Sequence, residues 1–199
     1  MNIPNKVQTP VGMKTLDFWP ITSEPVNAHP VYGPAVNLGA AVKGYLAVAT
    51  VAASISGDDA TLVDDEFFVS AQFDTETTMS DLQINAKLYG HTYSESDGED
   101  SKADDHASPG GLSFIEPILR SDKSIVYRAT CLRKASALAS SEKQEADTRK
   151  RGEFNPKMNV VSFKIVEDKI DSWRLRNDFT TEAAAKAFIE KTFGAAAQG

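Results

Sequence analysis

Three histidines, one cysteine and a few runs of acids are the side chains here whose types invite catalysis or metal binding. His29, His91 and His106 lie far apart in sequence, so no two form a paired-histidine motif. His106 stands beside Asp104 and Asp105, and one imidazole without a second is expected to be solvated. His91 lies between Tyr89 and Tyr93 and reads as a packed loop residue. Asp64-Asp65-Glu66 and Asp104-Asp105 are carboxylate pairs by adjacency alone. A general acid needs a desolvated site, whereas acids in turns are solvent groups. Residues 94–108, SESDGEDSKADDHAS, have the acid density of a calcium loop without its spacing, because no Glu closes the twelfth position of a matching loop.

Cys131 is the only cysteine, so no intramolecular disulfide is possible. It sits in the alternating run Ile125 to Leu132 and reads as a small buried core residue. There is no nucleophile elbow and no glycine-rich phosphate loop. The expectation is a non-enzyme with no catalytic, metal or cofactor-binding residues. An unpaired cysteine fits folding in a reducing cytoplasm. The N-terminus, MNIPNKVQTPVG, lacks the basic-then-apolar pattern of a signal peptide.

The 199 residues carry a formal net charge of -7, and its distribution is uneven. Between residues 58 and 108 fourteen acids face only Lys87 and Lys102, a net -12. Residues 116–153 are mildly basic and hold the one basic cluster, Arg149-Lys150-Arg151. An acidic chain with three adjacent cations is poorly suited to track phosphates, so tight nucleic-acid binding is not expected.

The elements follow from periodicity and punctuation. Residues 1–35 hold six prolines and read as an extended N-terminal arm, anchored by Leu16, Phe18 and Trp19. Residues 36–56 read as a smooth, small-residue strand segment, and Gly57-Asp58-Asp59 as a turn. Ala60 to Val63 and Glu66 to Phe73 are predicted strands, with Phe67, Val69, Ala71 and Phe73 as the core face. Leu82, Ile84, Ala86 and Leu88 alternate with Gln83, Asn85, Lys87 and Tyr89, the period of a strand wet on one face. Residues 94–108 are expected to be a solvated, mobile loop. Pro117 makes the run Leu112 to Leu119 an edge or irregular strand. Ser121-Asp122-Lys123 turns it into the strand Ile125 to Leu132.

Residues 134–153 form a second polar excursion. Val160 to Val166 and Ser172 to Asn177 complete the strands. The one clear helix spans about 181–193, capped by Thr180 or Thr181 and closed by Gly194, with 195–199 a frayed tail. Phe188, Ile189 and Phe193 give it a narrow apolar face. The expected fold is mainly β: a two-sheet β-sandwich or partly closed barrel over residues 36–194, with a flanking C-terminal α-helix, long loops and the arm.

Several stretches, taken in order, carry a resemblance. Glu76-Thr77-Thr78 leads to Leu88-Tyr89-Gly90; Leu62-Val63-Asp64-Asp65 precedes it; Gly110-Gly111 runs through to Arg128. Glu145-Ala146-Asp147-Thr148 lies before the strand at Phe163, and Trp173 comes before the helix from Thr181 to Phe193. From about Tyr32 to Gly194 the chain thereby resembles the major tail tube proteins of long-tailed, non-contractile bacteriophages. It departs from them at Leu62-Val63, which is one residue shorter than the family's segment and lacks its aromatic.

The resemblance implies a structural virion protein of the tail, assembled in the host cytoplasm as stacked hexameric rings that conduct the genome. It implies as partners other copies of itself and the tail initiator, tape-measure and tail terminator proteins. Double-stranded DNA would pass through the lumen without specific binding, and no membrane is implied. On that reading Asp97, Glu99, Asp100, Asp104 and Asp105 are candidate inter-ring contacts, meeting Arg149, Lys150 and Arg151 of a neighbour. Gln83, Asn85 and Lys87, the polar face of the alternating run, are candidate lumen-facing residues. The alternative is a monomeric β-sandwich binding module, such as a virion decoration or carbohydrate-binding domain.

Overall fold

The structure, a computed structural model, describes residues 8–57, 60–79, 81–142 and 158–194. The tail at 195–199 and most of the second polar excursion, Arg149, Lys150 and Arg151 included, lie outside the described residues. The chain is mainly β, with a short C-terminal helix and sheets that do not close into a barrel. In order the strands are β1 (Gln8–Pro10), β2 (Lys14–Ser23), β3 (Val31–Tyr32), β4 (Val36–Asn37), β5 (Ala41–Gly57) and β6 (Ala60–Thr77). Helix α1 (Leu82–Tyr89) and the short strands β7 (Thr92–Ser94) and β8 (Gly98–Asp100) come next. Then follow β9 (Gly110–Arg120), β10 (Ile125–Ala137), β11 (Asn159–Val166), β12 (Arg174–Phe179) and helix α2 (Glu182–Gly194). Neither helix is long and apolar enough to cross a membrane.

Ten strands share one sheet, ordered β3-β2-β9-β10-β11-β6-β5, with β1 beside β9, β4 beside β2 and β12 beside β10. Strand β10 is the hinge of this arrangement. Its first half, Tyr127 to Leu132, pairs with β12, and its last four residues, Lys134 to Ala137, pair with β11. A register shift against β9 between Leu132 and Ala135 marks the bend. The bend brings β2 and β9 over β6 and β11, so that Phe18 meets Phe163 and Phe73 meets Phe114 in one core.

The arm is, from Gln8 on, part of the sheet. Strand β2 pairs with β9 from Lys14 to Pro20, and Leu16, Phe18 and Trp19 are buried in the chain's own body. The prolines were the misleading signal. Pro10 ends β1, Pro20 pairs at the first residue of β9, and neither interrupts a ladder midway. Pro117 obeys the same rule and still lies in an interior strand. On one side β9 changes partner from β2 to β1 at this point, and the Pro117 carbonyl accepts from Val11 N at 2.9 Å. A missing N–H there leaves nothing unpaired.

Strand β10 continues to Ala137, into the stretch expected to be a polar excursion. The β9–β10 turn is as expected: Arg120 N donates to Ser124 O, and Asp122 accepts from both the amide and the hydroxyl of Ser124.

Helix α2 lies across the opposite face of β9 and β10. Ala185, Ile189 and Phe193 recur at four-residue spacing and are all buried against Trp19, Tyr32, Ile115, Ala129 and Cys131. Thr181 Oγ1 accepts from Ala184 N and caps the first turn. Phe193 stacks on Trp19 at 5.3 Å between centroids and meets Tyr32 edge-on at 4.7 Å. Gly111 makes this possible, because a Cβ there would enter the Phe193 ring. Cys131 packs as a fully buried core residue, and burial pushes its thiol up to about 12.

Candidate assembly surface

The longest strands make the most exposed feature. Strand β5 pairs with β6 from Ala41 to Gly57, but β11 accompanies β6 only from Thr77 to Ala71. Beyond Ala71, β5 and β6 pair with each other alone among the described residues. Nine residue pairs, from Ala49–Ser70 to Gly57–Ala60, therefore project as a two-stranded ribbon, roughly 30 Å long at the usual rise per residue. Its root is held by Phe68, which stacks on Trp173 at 4.5 Å, while the Arg174 guanidinium covers the same indole at 4.3 Å.

A bulge sets which side chains face outward. Ala49 opposes Ser70 and Thr50 opposes Phe68, leaving Val69 as the extra residue. One extra residue reverses the alternation, so Phe67 pairs with Val51 on the face of Ala49 and Ala47, away from the core. Phe67 and Val69 were expected in the core with Ala71 and Phe73. They are instead 53% and 54% exposed, while Ala71 and Phe73 are buried as expected. Tyr45, Val48 and Val51 are exposed on the partner strand. The outer strand, β5, has no partner on its free side among the described residues. A ribbon of this length, with several exposed apolar side chains and an open edge, is the kind of surface that proteins normally pair or cover.

A basic cleft lies at the foot of the ribbon. It has a volume of about 430 Å³, and Lys43, Arg174 and Arg176 line it beside apolar Met13, Val42 and Leu46. Burial, and then the charge of Arg176, lower the Arg174 pKa; burial raises that of Glu116 on the same wall. Asp65 and Glu66 on the ribbon are exposed and carry the opposite sign.

The candidate lumen residues do not share a strand face. Residues 82–89 are helix α1, capped by Asp81 Oδ1, which accepts from Gln83 N at 2.7 Å and Ile84 N at 3.3 Å. Gly90 ends it at φ 82°, with its N–H on Ala86 O. The two caps outweigh an eight-residue alternation that a helix can equally satisfy. Ala86, Leu88 and Tyr89 turn inward, Gln83 and Lys87 stand one turn apart on the exposed side, and Asn85 points to Glu99 and Glu142.

The acidic stretch after α1 is built, not a structureless loop. Strands β7 and β8 pair through Thr92–Asp100 and Ser94–Gly98. Asp97 accepts from the hydroxyls of Ser96 and Ser94, which hold its carboxyl below the usual range. Asp105 accepts from Lys102 N. Asp100 and Asp104 are exposed. Glu99 is no free contact residue: its side chain is nine-tenths buried and engaged by His91 and Asn85. Sequence spacing did not associate His91 with Glu99 and Glu142, which come from three separate segments. Residues 60–66, ATLVDDE, do not alternate between apolar and polar, so the full length of β6 leaves little mark in the sequence.

Compared with known proteins, the chain matches no family model and no curated protein at a significant level.

Proposed function

We propose that this chain is a self-assembling structural subunit of a phage tail tube, polymerising as stacked hexameric rings through which the genome passes. The observation that carries the proposal is the β5–β6 ribbon, on which Tyr45, Val51, Phe67 and Val69 are exposed. A monomer gains nothing from displaying these side chains, whereas a neighbouring copy would bury them and pair the open edge of β5. Identical subunits that use one surface to meet a different surface make head-to-tail contacts, which close into rings or extend into filaments. The cleft of Lys43, Arg174 and Arg176 and the exposed Asp65 and Glu66 offer such complementary surfaces. Charge pairing of this kind fixes register more than it stabilises.

The fold over β2, β9, β6 and β11 fits the two-layer arrangement implied by the resemblance, with α2 on its flank. Passage of DNA without specific binding agrees with a net charge of -7.

Negative-stain electron microscopy of the concentrated full chain tests the reading. Six-fold rings or tubes of uniform width are the expected result. A species that stays monomeric by light scattering at the same concentration, and that binds glycans, would replace it with the binding-module alternative.

A further inference from the structure

His91, Glu99 and Glu142 converge where α1, the β7–β8 pair and the turn after β10 meet, with one ligand atom from each lying within 4.8 Å of the others. We infer that these three side chains bind a single divalent cation of the zinc type, which clamps α1 and the β7–β8 pair onto the body of the sheet.

The donor set points to that class of ion. One imidazole nitrogen and two carboxylates, without a thiolate, suit zinc, manganese, cobalt or nickel; calcium and magnesium prefer oxygen alone. His91 Nδ1 lies 2.8 Å from Glu99 Oε1 and His91 Nε2 lies 3.7 Å from Glu142 Oε2, so the carboxylates border different ring nitrogens, and a single ion takes one of the two. Adjacent donors around a tetrahedral ion with bonds of about 2.0–2.1 Å lie roughly 3.3 Å apart, so His91 and Glu99 need only a small separation to admit one.

Among the described residues His91 is the one potentially cationic side chain paired with Glu99 and Glu142. The His91 and Glu99 side chains are only 8% and 9% exposed, and Glu142, at 30%, forms the open rim by which an ion can enter. Two carboxylates held this close repel each other in a dry setting. Among the described residues no lysine or arginine pairs with either, and one imidazolium neutralises only half of their charge. The Asn85 amide donates to Glu99 at 2.9 Å and to Glu142 at 3.1 Å and keeps the two side by side. Tyr89 stacks beside the His91 ring at 5.9 Å and is itself tied to Ser141, so the ring is oriented before any ion arrives.

The test titrates Zn²⁺ alone into chelator-stripped full chain, read by calorimetry and by thermal unfolding. The expected result is one ion per chain and a rise in Tm of roughly 5–10 °C at a hundredfold excess over Kd. Mg²⁺ at the same concentration should leave Tm unchanged. Glu142→Gln sits at the rim and keeps the fold, so it decides the matter if His91→Ala does not fold; it should abolish the Zn²⁺-dependent rise. Asn85→Ala should weaken binding roughly tenfold by loosening the carboxylates. No rise in the wild type, or an equal rise in Glu142→Gln, overturns the inference. His29→Ala and His106→Ala should bind as the wild type does, and a loss in either would place the ion elsewhere.

Discussion

Val51 and Phe67 stand directly opposite each other across β5 and β6, both 53% exposed, on the face that turns from the core. Nothing in the body of the protein covers this pair among the described residues. If a neighbouring copy covers it, charge placed there will stop assembly without harming the fold. Phe67→Glu and Val51→Glu should each keep monomer stability within about 0.5 kcal/mol of the wild type, as surface changes usually do. Both should abolish rings and tubes in electron micrographs. Normal polymerisation of the two variants would show that the ribbon face is not the contact.

Phe193 is the anchor that joins α2 to the sheet, clamped between Trp19 and Tyr32 over Gly111. Phe193→Ala should cost about 3–5 kcal/mol, because a fully buried ring is lost and a cavity remains. Gly111→Ala attacks the same contact from below and should cost about 1–3 kcal/mol through overpacking. Urea unfolding followed by tryptophan fluorescence measures both. A shift in midpoint below that of an ordinary surface variant would mean that α2 is not integral to the core.

How far these features were legible in the sequence depended on the range of the physics behind them. The α2 boundaries, the β9–β10 turn and the burial of Cys131 rest on local signals: a threonine cap, an Asx-type turn and clean alternation. Local signals also competed. Over residues 82–89 the alternation of Leu82, Ile84, Ala86 and Leu88 pointed to a strand, while Asp81 and Gly90 marked both ends of a helix. Eight residues are too few for periodicity to win against two caps. Proline density hid β2, because whether a proline is tolerated depends on which side of the strand has a partner, and that is a long-range fact. The bulge at Val69 and the meeting of His91, Glu99 and Glu142 are long-range as well, so neither leaves a mark in the spacing.

The capping of α1 can be tested in isolation from the ribbon. Asp81→Ala removes the acceptor for two backbone amides and should cost about 1 kcal/mol, whereas Asp81→Ser should recover most of it. Gly90→Ala should be worse than Asp81→Ala, since φ is positive there and a Cβ would meet the backbone of His106. Denaturant midpoints rank the three variants. If α1 were the strand that alternation indicates, Asp81→Ala would be silent and the ranking would collapse.

Acid stability supplies a pair of changes with opposite signs. Arg128 grips Asp178 through Nε at 2.7 Å and Nη2 at 3.0 Å, and this hydrogen-bonded pair holds the Asp178 carboxyl below its usual range. A depressed carboxylate stabilises the fold above its unfolded pKa of about 3.9, and that contribution is lost as pH falls through the folded value. Asp178→Asn should therefore cost about 1 kcal/mol at pH 7, the pair being partly screened by solvent, and should flatten the loss of stability below about pH 4. Glu116 lies in the same charge group, but burial raises its pKa despite Arg128 and Arg176. Its charged form disfavours the fold at neutral pH, and this penalty is relieved as pH falls through the raised value. Glu116→Gln should consequently stabilise the protein at pH 7 and lose that advantage below about pH 4. Thermal melts of both variants between pH 2.5 and 7 resolve the two curves, and parallel pH profiles would contradict the assignment of opposite shifts to these neighbours.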